Sequence, residues 1–141
     1  VTFQEMTVAD LQRIVADHPR YWGERDLRAL HLTALVQEFP STCLVERELR
    51  GYLIGFVTPA LTGYVHLIAT RDDARGQGLG RALWEEFTRA ARQQGATRLK
   101  AITSVANTGS IAFHRGLGFE VDLVDDYNGP GETRVVFTRD L

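Results

Sequence analysis

The run Arg75-Gly76-Gln77-Gly78-Leu79-Gly80 constrains this chain more than any other stretch. It stands between an apolar, β-rich segment that ends at Thr70 and a long segment with helical spacing, Leu79, Leu83, Phe87, Ala90 and Ala91. Glycines in such a place let the backbone turn tightly and come close to a ligand, because no Cβ is in the way. A helix starting there also offers unpaired N–H groups and the positive end of its dipole, and Arg75 and Arg81 add charge beside them. Phosphate or pyrophosphate is the expected guest. A Walker loop would continue with Gly-Lys-Ser/Thr, whereas Gly80-Arg81-Ala82 follows. A dinucleotide fingerprint would need G-x-G-x-x-G and an acid about 20 residues on. Here Gly78-Leu79-Gly80 leads into Arg81-Ala82-Leu83, and Arg98-Leu99-Lys100 holds no acid. The plain alternative is a glycine-rich turn that holds nothing.

Around the loop the pattern is that of one mixed α/β domain. Thr7 or Asp10 caps a first helix over Val8, Leu11, Ile14 and Val15, which stops before His18-Pro19. A second helix is expected to carry Leu27, Leu30, Leu35 and Val36 and to close before Pro40. Strands are expected over Thr42 to Glu46, Arg50 to Thr58, Gly63 to Thr70, Thr97 to Thr103, Phe119 to Val124 and Arg134 to Thr138. The long helix from Leu79 has its natural stop at Gly95, and Asn107 to Leu117 reads as a short helix ending at Gly118. The window Gly51 to Thr70 has no Asp, Glu, Lys or Arg, but Gly55, Pro59, Gly63 and His66 interrupt it. A buried hairpin turning through Thr58 to Gly63 explains it better than a membrane span.

Composition narrows the function. The 141 residues are 44% apolar and 24% charged with net charge −2, which suits a globular core and not a nucleic-acid face. Cys43 is alone, so no internal disulfide forms, and a cytoplasmic setting is expected. No leader sequence is seen ahead of the first helix, and no membrane partner is expected. His18 and His31 have no metal-ligand spacing, so no metal is expected.

Two motifs in order carry a resemblance. Arg75, Gly78 and Gly80 match the pyrophosphate loop of the GNAT superfamily of acyl-CoA-dependent N-acyltransferases, [Arg/Gln]-x-x-Gly-x-[Gly/Ala]. Asn107 through Phe119 resembles the family's second motif, Asn-x-x-(Ser/Ala)-Ile-x-Phe-(Tyr/His)-x-x-x-Gly-Phe. The resemblance is close over Tyr64 to Phe119, with flanks that match only in the order of their elements. It implies one N-acetyltransferase domain over residues 1–141, built on a mostly antiparallel central sheet. That sheet is splayed between its two middle strands and flanked by helices. It further implies acetyl-CoA as cosubstrate and a primary amine as acceptor. Relatives are often dimers, so a homodimer enters as an expectation with no residue behind it.

The resemblance also assigns residues. The backbone of Ile68, Ala69 and Thr70 would pair with the pantetheine amides, and one of their N–H groups would face the thioester oxygen. The loop N–H groups of Gly76, Gln77, Gly78, Leu79, Gly80, Arg81 and Ala82 would hold the pyrophosphate beside Arg75. Asn107 and Ser110 would meet the pantetheine side, and Phe113 would line the slot. His114 stands where many relatives carry Tyr, the proposed donor to the departing thiolate; its other reading is a histidine that suits the negative end of its helix. Alternation along the strand puts Tyr64, His66, Ile68 and Thr70 on one face, with His66 as the expected base, unless a bulge changes the face it sees. The rival reading is a hydrogen-bonded histidine under the first helices. On the acceptor side Trp22 and Glu24, with Tyr127 from the late turn, are the expected contacts. The acidic tilt favours a cationic acceptor. A small-molecule amine leads, against a protein N-terminus or lysine, or an acetyl-CoA sensor without turnover.

Overall fold

Thr7 and Asp10 cap each other's backbone, each N–H···O distance 3.0 Å, and so start the first helix, α1, Val8–Ala16. The computed structural model describes all 141 residues. Seven strands follow the order β1-β2-β3-β4-β5-β7-β6 in one sheet. They are β1 Phe3–Glu5, β2 Cys43–Glu46, β3 Gly51–Val57, β4 Thr62–Thr70, β5 Arg98–Thr103, β6 Glu120–Val124 and β7 Arg134–Asp140. Only β4 and β5 run parallel, so the sheet is mostly antiparallel. Five helices flank it: α1, α2 Pro19–Trp22, α3 Thr33–Glu38, α4 Leu79–Gln93 and α5 Thr108–Gly116. No helix is long and apolar enough to cross a membrane.

Each face of the sheet buries its own core. Leu83, Phe87 and Ala91 of α4 meet Leu53, Val65, Leu99 and Phe137 on one face. Leu11 and Ile14 of α1 and Val36 of α3 meet Val45, Ile54, Leu67 and Ala69 on the other. Close approach on the α4 face needs glycine, since a Cβ at Gly55 would lie 2.7 Å from Phe87 Cε1. The hairpin between β3 and β4 turns as expected, closed by the Thr58 N–H on the Thr62 carbonyl at 2.8 Å, and it lies in the sheet.

Three elements differ from expectation, one of them α2, a short helix over Pro19–Trp22 where none is expected. The second helix does not run from Leu27 to Val36. The chain forms a tight turn at Arg28–Leu30, leaves helical geometry at His31 (φ −84°, ψ 77°), and enters α3 at Thr33. At the break the Leu27 carbonyl, which a continuing helix would have offered to the His31 N–H, meets the Leu30 N–H at 3.0 Å and the His31 Nδ1 at 2.7 Å, and the His31 N–H turns to the Arg28 carbonyl at 3.1 Å. The third is β1, too short to show alternation, which exists because β2 supplies a paired edge.

Strand β4 carries a bulge. Ile54 faces Leu67 and the next residue, Gly55, faces Val65, so His66 has no partner across the ladder. Val65 therefore points to the α4 core, while Leu67 and Ala69 point to the α1 core. Simple alternation fails at this residue. Tyr64 stacks near Phe56 on the α1 side, and His66 reaches Leu30 on that side too. Ile68 packs on the α4 core, so it does not share a face with His66.

Candidate active site

Pairing between β4 and β5 ends at Val65 and Ala101. Beyond that point Leu67 to Thr70 leave β5, whose last residues pair only with β7. The gap opens a cleft of about 1180 Å³, lined by the glycine loop, α5 and the Trp22–Leu30 connection. Its lining includes Tyr64, His66, Ile68, Ala69, Thr70, Asn107, Ser110, Phe113 and His114. Residues far apart in sequence are thus brought to one cavity.

The loop is built for close approach of its backbone. Gly76 (φ +77°) and Gly78 (φ +80°) hold left-handed conformations that residues with a Cβ adopt at a cost. No acceptor within the protein meets the N–H groups of Gly76 through Arg81. Ala82 is different: its N–H reaches the Gly78 carbonyl at 3.0 Å, the first bond of α4, and is not free. Gly80 has a packing reason of its own, since a Cβ there would lie 2.9 Å from Phe113 Cζ. Gln77 is exposed and does not line the cleft. The Arg75 guanidinium, expected beside the phosphates, donates to the Tyr21 carbonyl at 3.1 Å and ties the loop to α2.

Asn107 is the cap of α5. Its Oδ1 accepts from the Ser110 N–H at 3.2 Å and its Nδ2 donates to Thr103 Oγ1 at 3.0 Å, which locks the end of β5 to the helix start. His114 is 3% exposed and stacks on Phe137 with ring centroids 4.0 Å apart. Its Nδ1 donates to the Ser110 carbonyl at 2.8 Å, while Nε2 is buried without a partner. Burial pushes its pKa below the usual histidine value, so the neutral ring dominates.

His66 sits where the bulge turns its ring toward the early connection. Its Nε2 is 2.7 Å from the Leu30 carbonyl. A carbonyl only accepts, so Nε2 is the donor of this contact, and Nδ1 makes no hydrogen bond within the protein. The segment that offers this carbonyl is itself held in place. The His18 Nε2 accepts from the Leu27 N–H at 3.0 Å. Trp22 Nε1 donates to the Tyr52 hydroxyl at 2.8 Å, and that hydroxyl lies 2.7 Å from His31 Nε2. Burial drives the Tyr52 pKa upward and the His31 pKa downward, so both groups stay neutral. Spacing along the sequence could not reveal this network, because its members come from α2, β3 and the connection between them.

On the acceptor side Trp22 lines the cleft, whereas Glu24 and Tyr127 do not. Tyr127 lies beside Tyr64, whose hydroxyl pKa burial pushes up to about 12. Arg25, Leu27, Leu30, Asn128 and Arg134 line the cleft and were given no role by the motifs. No Asp or Glu lines it, so the acidic net charge of the chain is not expressed where an acceptor would bind.

Residues 8–119 match the family model described as Acetyltransferase (GNAT) family. An L-methionine sulfoximine/L-methionine sulfone acetyltransferase of Pseudomonas aeruginosa is 43% identical over 56 residues, 40% of this chain. The match spans only 33% of that relative's length. The ribosomal-protein-alanine N-acetyltransferase of Brucella melitensis has a similar structure, with TM-score 0.72, 27% identity and 100% of both chains covered. The yncA protein of Salmonella typhimurium, solved with its cofactor acetyl-CoA, has TM-score 0.70 and 21% identity over 99% of this chain and 93% of that one. A family model that spans most of the chain, on a sheet splayed beside a glycine loop, leaves one assignment: this chain belongs to the GNAT acetyltransferase family.

Proposed function

We propose that this protein transfers the acetyl group of acetyl-CoA to a primary amine of a small molecule, by direct attack in a ternary complex. The observation that carries the cofactor half is the run of N–H groups at Gly76 to Arg81 without an acceptor in the protein, in a loop whose Gly76, Gly78, Leu79, Gly80 and Arg81 line the cleft between β4 and β5. Such groups suit a pyrophosphate. The unpaired edge of β4 at Ile68 to Thr70 suits the amides of a pantetheine arm and supplies N–H groups for a thioester oxygen. Ser110 and Phe113 line the same slot. The acetyl-CoA bound in the Salmonella protein supports the same cosubstrate.

Within this reading, His66 takes the amine proton at Nδ1 while Leu30 supports the ring through Nε2. The amine nitrogen bonds to the thioester carbonyl carbon, the C–S bond breaks, and coenzyme A leaves as its thiol with a proton from solvent. His114 has less support as the donor, because its only N–H is given to Ser110 and its ring is held neutral. The small-molecule reading draws on the acetyltransferase of Pseudomonas aeruginosa, and its rival, a protein N-terminus, on the Brucella protein.

The test is thiol release from acetyl-CoA over a broad panel of amines, with acetyl-CoA affinity measured by calorimetry. Binding with release on small amines is expected. Binding without release on any amine or peptide would leave a sensor, and no binding would remove the cofactor assignment.

A further inference from the structure

Arginines line the cleft and no Asp or Glu does. Arg25, from the connection after α2, and Arg134, at the start of β7, both line it. Three neighbouring carboxylates are engaged away from these two arginines, while Glu132 pairs with Arg134 at 3.2 Å. Asp26 pairs with Arg28 at 3.0 Å, Asp125 accepts from Thr133 Oγ1 at 3.1 Å, and Asp126 accepts from the Gly131 N–H at 2.7 Å. Arg25 is exposed and lies 5.8 Å from the centroid of the Trp22 ring, with no carboxylate paired to it. Arg134 gives Nη1 to Glu132 and to the Thr133 carbonyl, which leaves its Nε and Nη2 without partners. The same lining includes Trp22, Leu27, Leu30 and Tyr64, all apolar or aromatic, together with His66.

We propose that the acceptor is a free amino acid with an uncharged, apolar side chain, its carboxylate held by Arg25 and Arg134 and its amine turned toward His66. This rests on the acetyl-transfer reading and deepens it. A carboxylate suits a guanidinium because two parallel N–H donors match its two oxygens. A diamine would bring a second cation into a cleft that has arginines and no carboxylate to receive it. A peptide N-terminus replaces the carboxylate with a neutral amide and forfeits the charge match. The apolar lining disfavours a charged side chain, which would lose its hydration there without a partner.

The experiment follows thiol release from acetyl-CoA with L-leucine, L-phenylalanine, L-leucinamide, cadaverine and a short peptide with N-terminal leucine. The free amino acids are expected to give the highest kcat/KM. In Arg25→Gln and Arg134→Gln the preference for L-leucine over L-leucinamide should fall by about 10–100-fold, the loss of a charge-assisted hydrogen bond. Acetyl-CoA affinity should not move. Arg25 is exposed, so its variant decides the matter even where Arg134→Gln does not fold. A higher kcat/KM for the amide, the diamine or the peptide overturns the acceptor class and leaves acetyl transfer standing. An unchanged preference in folded Arg25→Gln overturns it equally. Release with none of these compounds overturns it too, and acetyl-CoA calorimetry on the same protein then shows whether the cofactor reading falls with it.

Discussion

His66 and His114 are both histidines in the cleft, and their surroundings push them toward different work. The His66 ring is half-buried, with one nitrogen bound to a carbonyl and the other free to accept a proton. His66→Ala is expected to lower turnover by about 10²–10⁴-fold with acetyl-CoA affinity nearly unchanged, and the acidic limb of the pH–rate profile should vanish. A variant that keeps the wild-type profile would make His66 a structural residue. His114 is enclosed by Phe137, Trp84 and Phe119, with an unpaired buried nitrogen. His114→Phe keeps the stacking and removes the unpaired nitrogen together with the Nδ1 bond to the Ser110 carbonyl, two opposing changes, so melting temperature should move by only a few degrees and turnover should stay within about 10-fold of wild type. A larger loss of turnover, recovered by His114→Tyr, would restore the proton-donor role. The two residues were equally visible in the sequence as motif or strand positions. What separates them is a bulge and an aromatic cage, each made by residues distant along the chain.

At the scale of elements, the start of α4 and the middle of α5 form one device. Gly80 and Phe113 touch so closely that a side chain on the first must move the second. Gly80→Val is expected to displace Phe113 in the slot and to weaken acetyl-CoA binding by at least about 10-fold, read by calorimetry beside a melting curve. Unchanged affinity in a folded variant would take the phosphate-loop role away from this segment. Both helices were legible beforehand, because their glycine and asparagine signals lie within a few residues of the turns they control. The connection from Leu27 to Val36 was not. Its apolar spacing suits a helix, but the His31 ring is held between the Leu27 carbonyl and the Tyr52 hydroxyl of β3, a contact that spacing does not show.

At the scale of the whole molecule, stability should depend on pH through Glu46. This carboxylate is 3% exposed, and Arg50 binds it through its guanidinium and its backbone N–H, with the Glu48 N–H as well. The Arg50 guanidinium holds its pKa down to about 2, from an ordinary value of 4.5. A carboxylate with a depressed folded pKa stabilises fully above its unfolded value, and the contribution is lost as pH falls from 4.5 toward about 2. Glu46→Gln should therefore melt a few degrees lower at pH 7, and the gap to wild type should close across that acid range. An equal gap at pH 7 and at the acid end would exclude this pair as the cause.

The sequence by itself determined the glycine loop ahead of α4, the order of most elements, the family and the mixed α/β fold, because these depend on local periodicity, caps and glycines. The tertiary structure alone decided which way His66 faces, which N–H groups of the loop are free, and that Arg25 and Arg134 line the cleft while no Asp or Glu does. Each of these depends on how strands pair and where separate segments meet. A one-residue bulge reverses a face without altering the pattern of residue types, and a charge takes its sign at a site from what folds beside it, not from the chain's total.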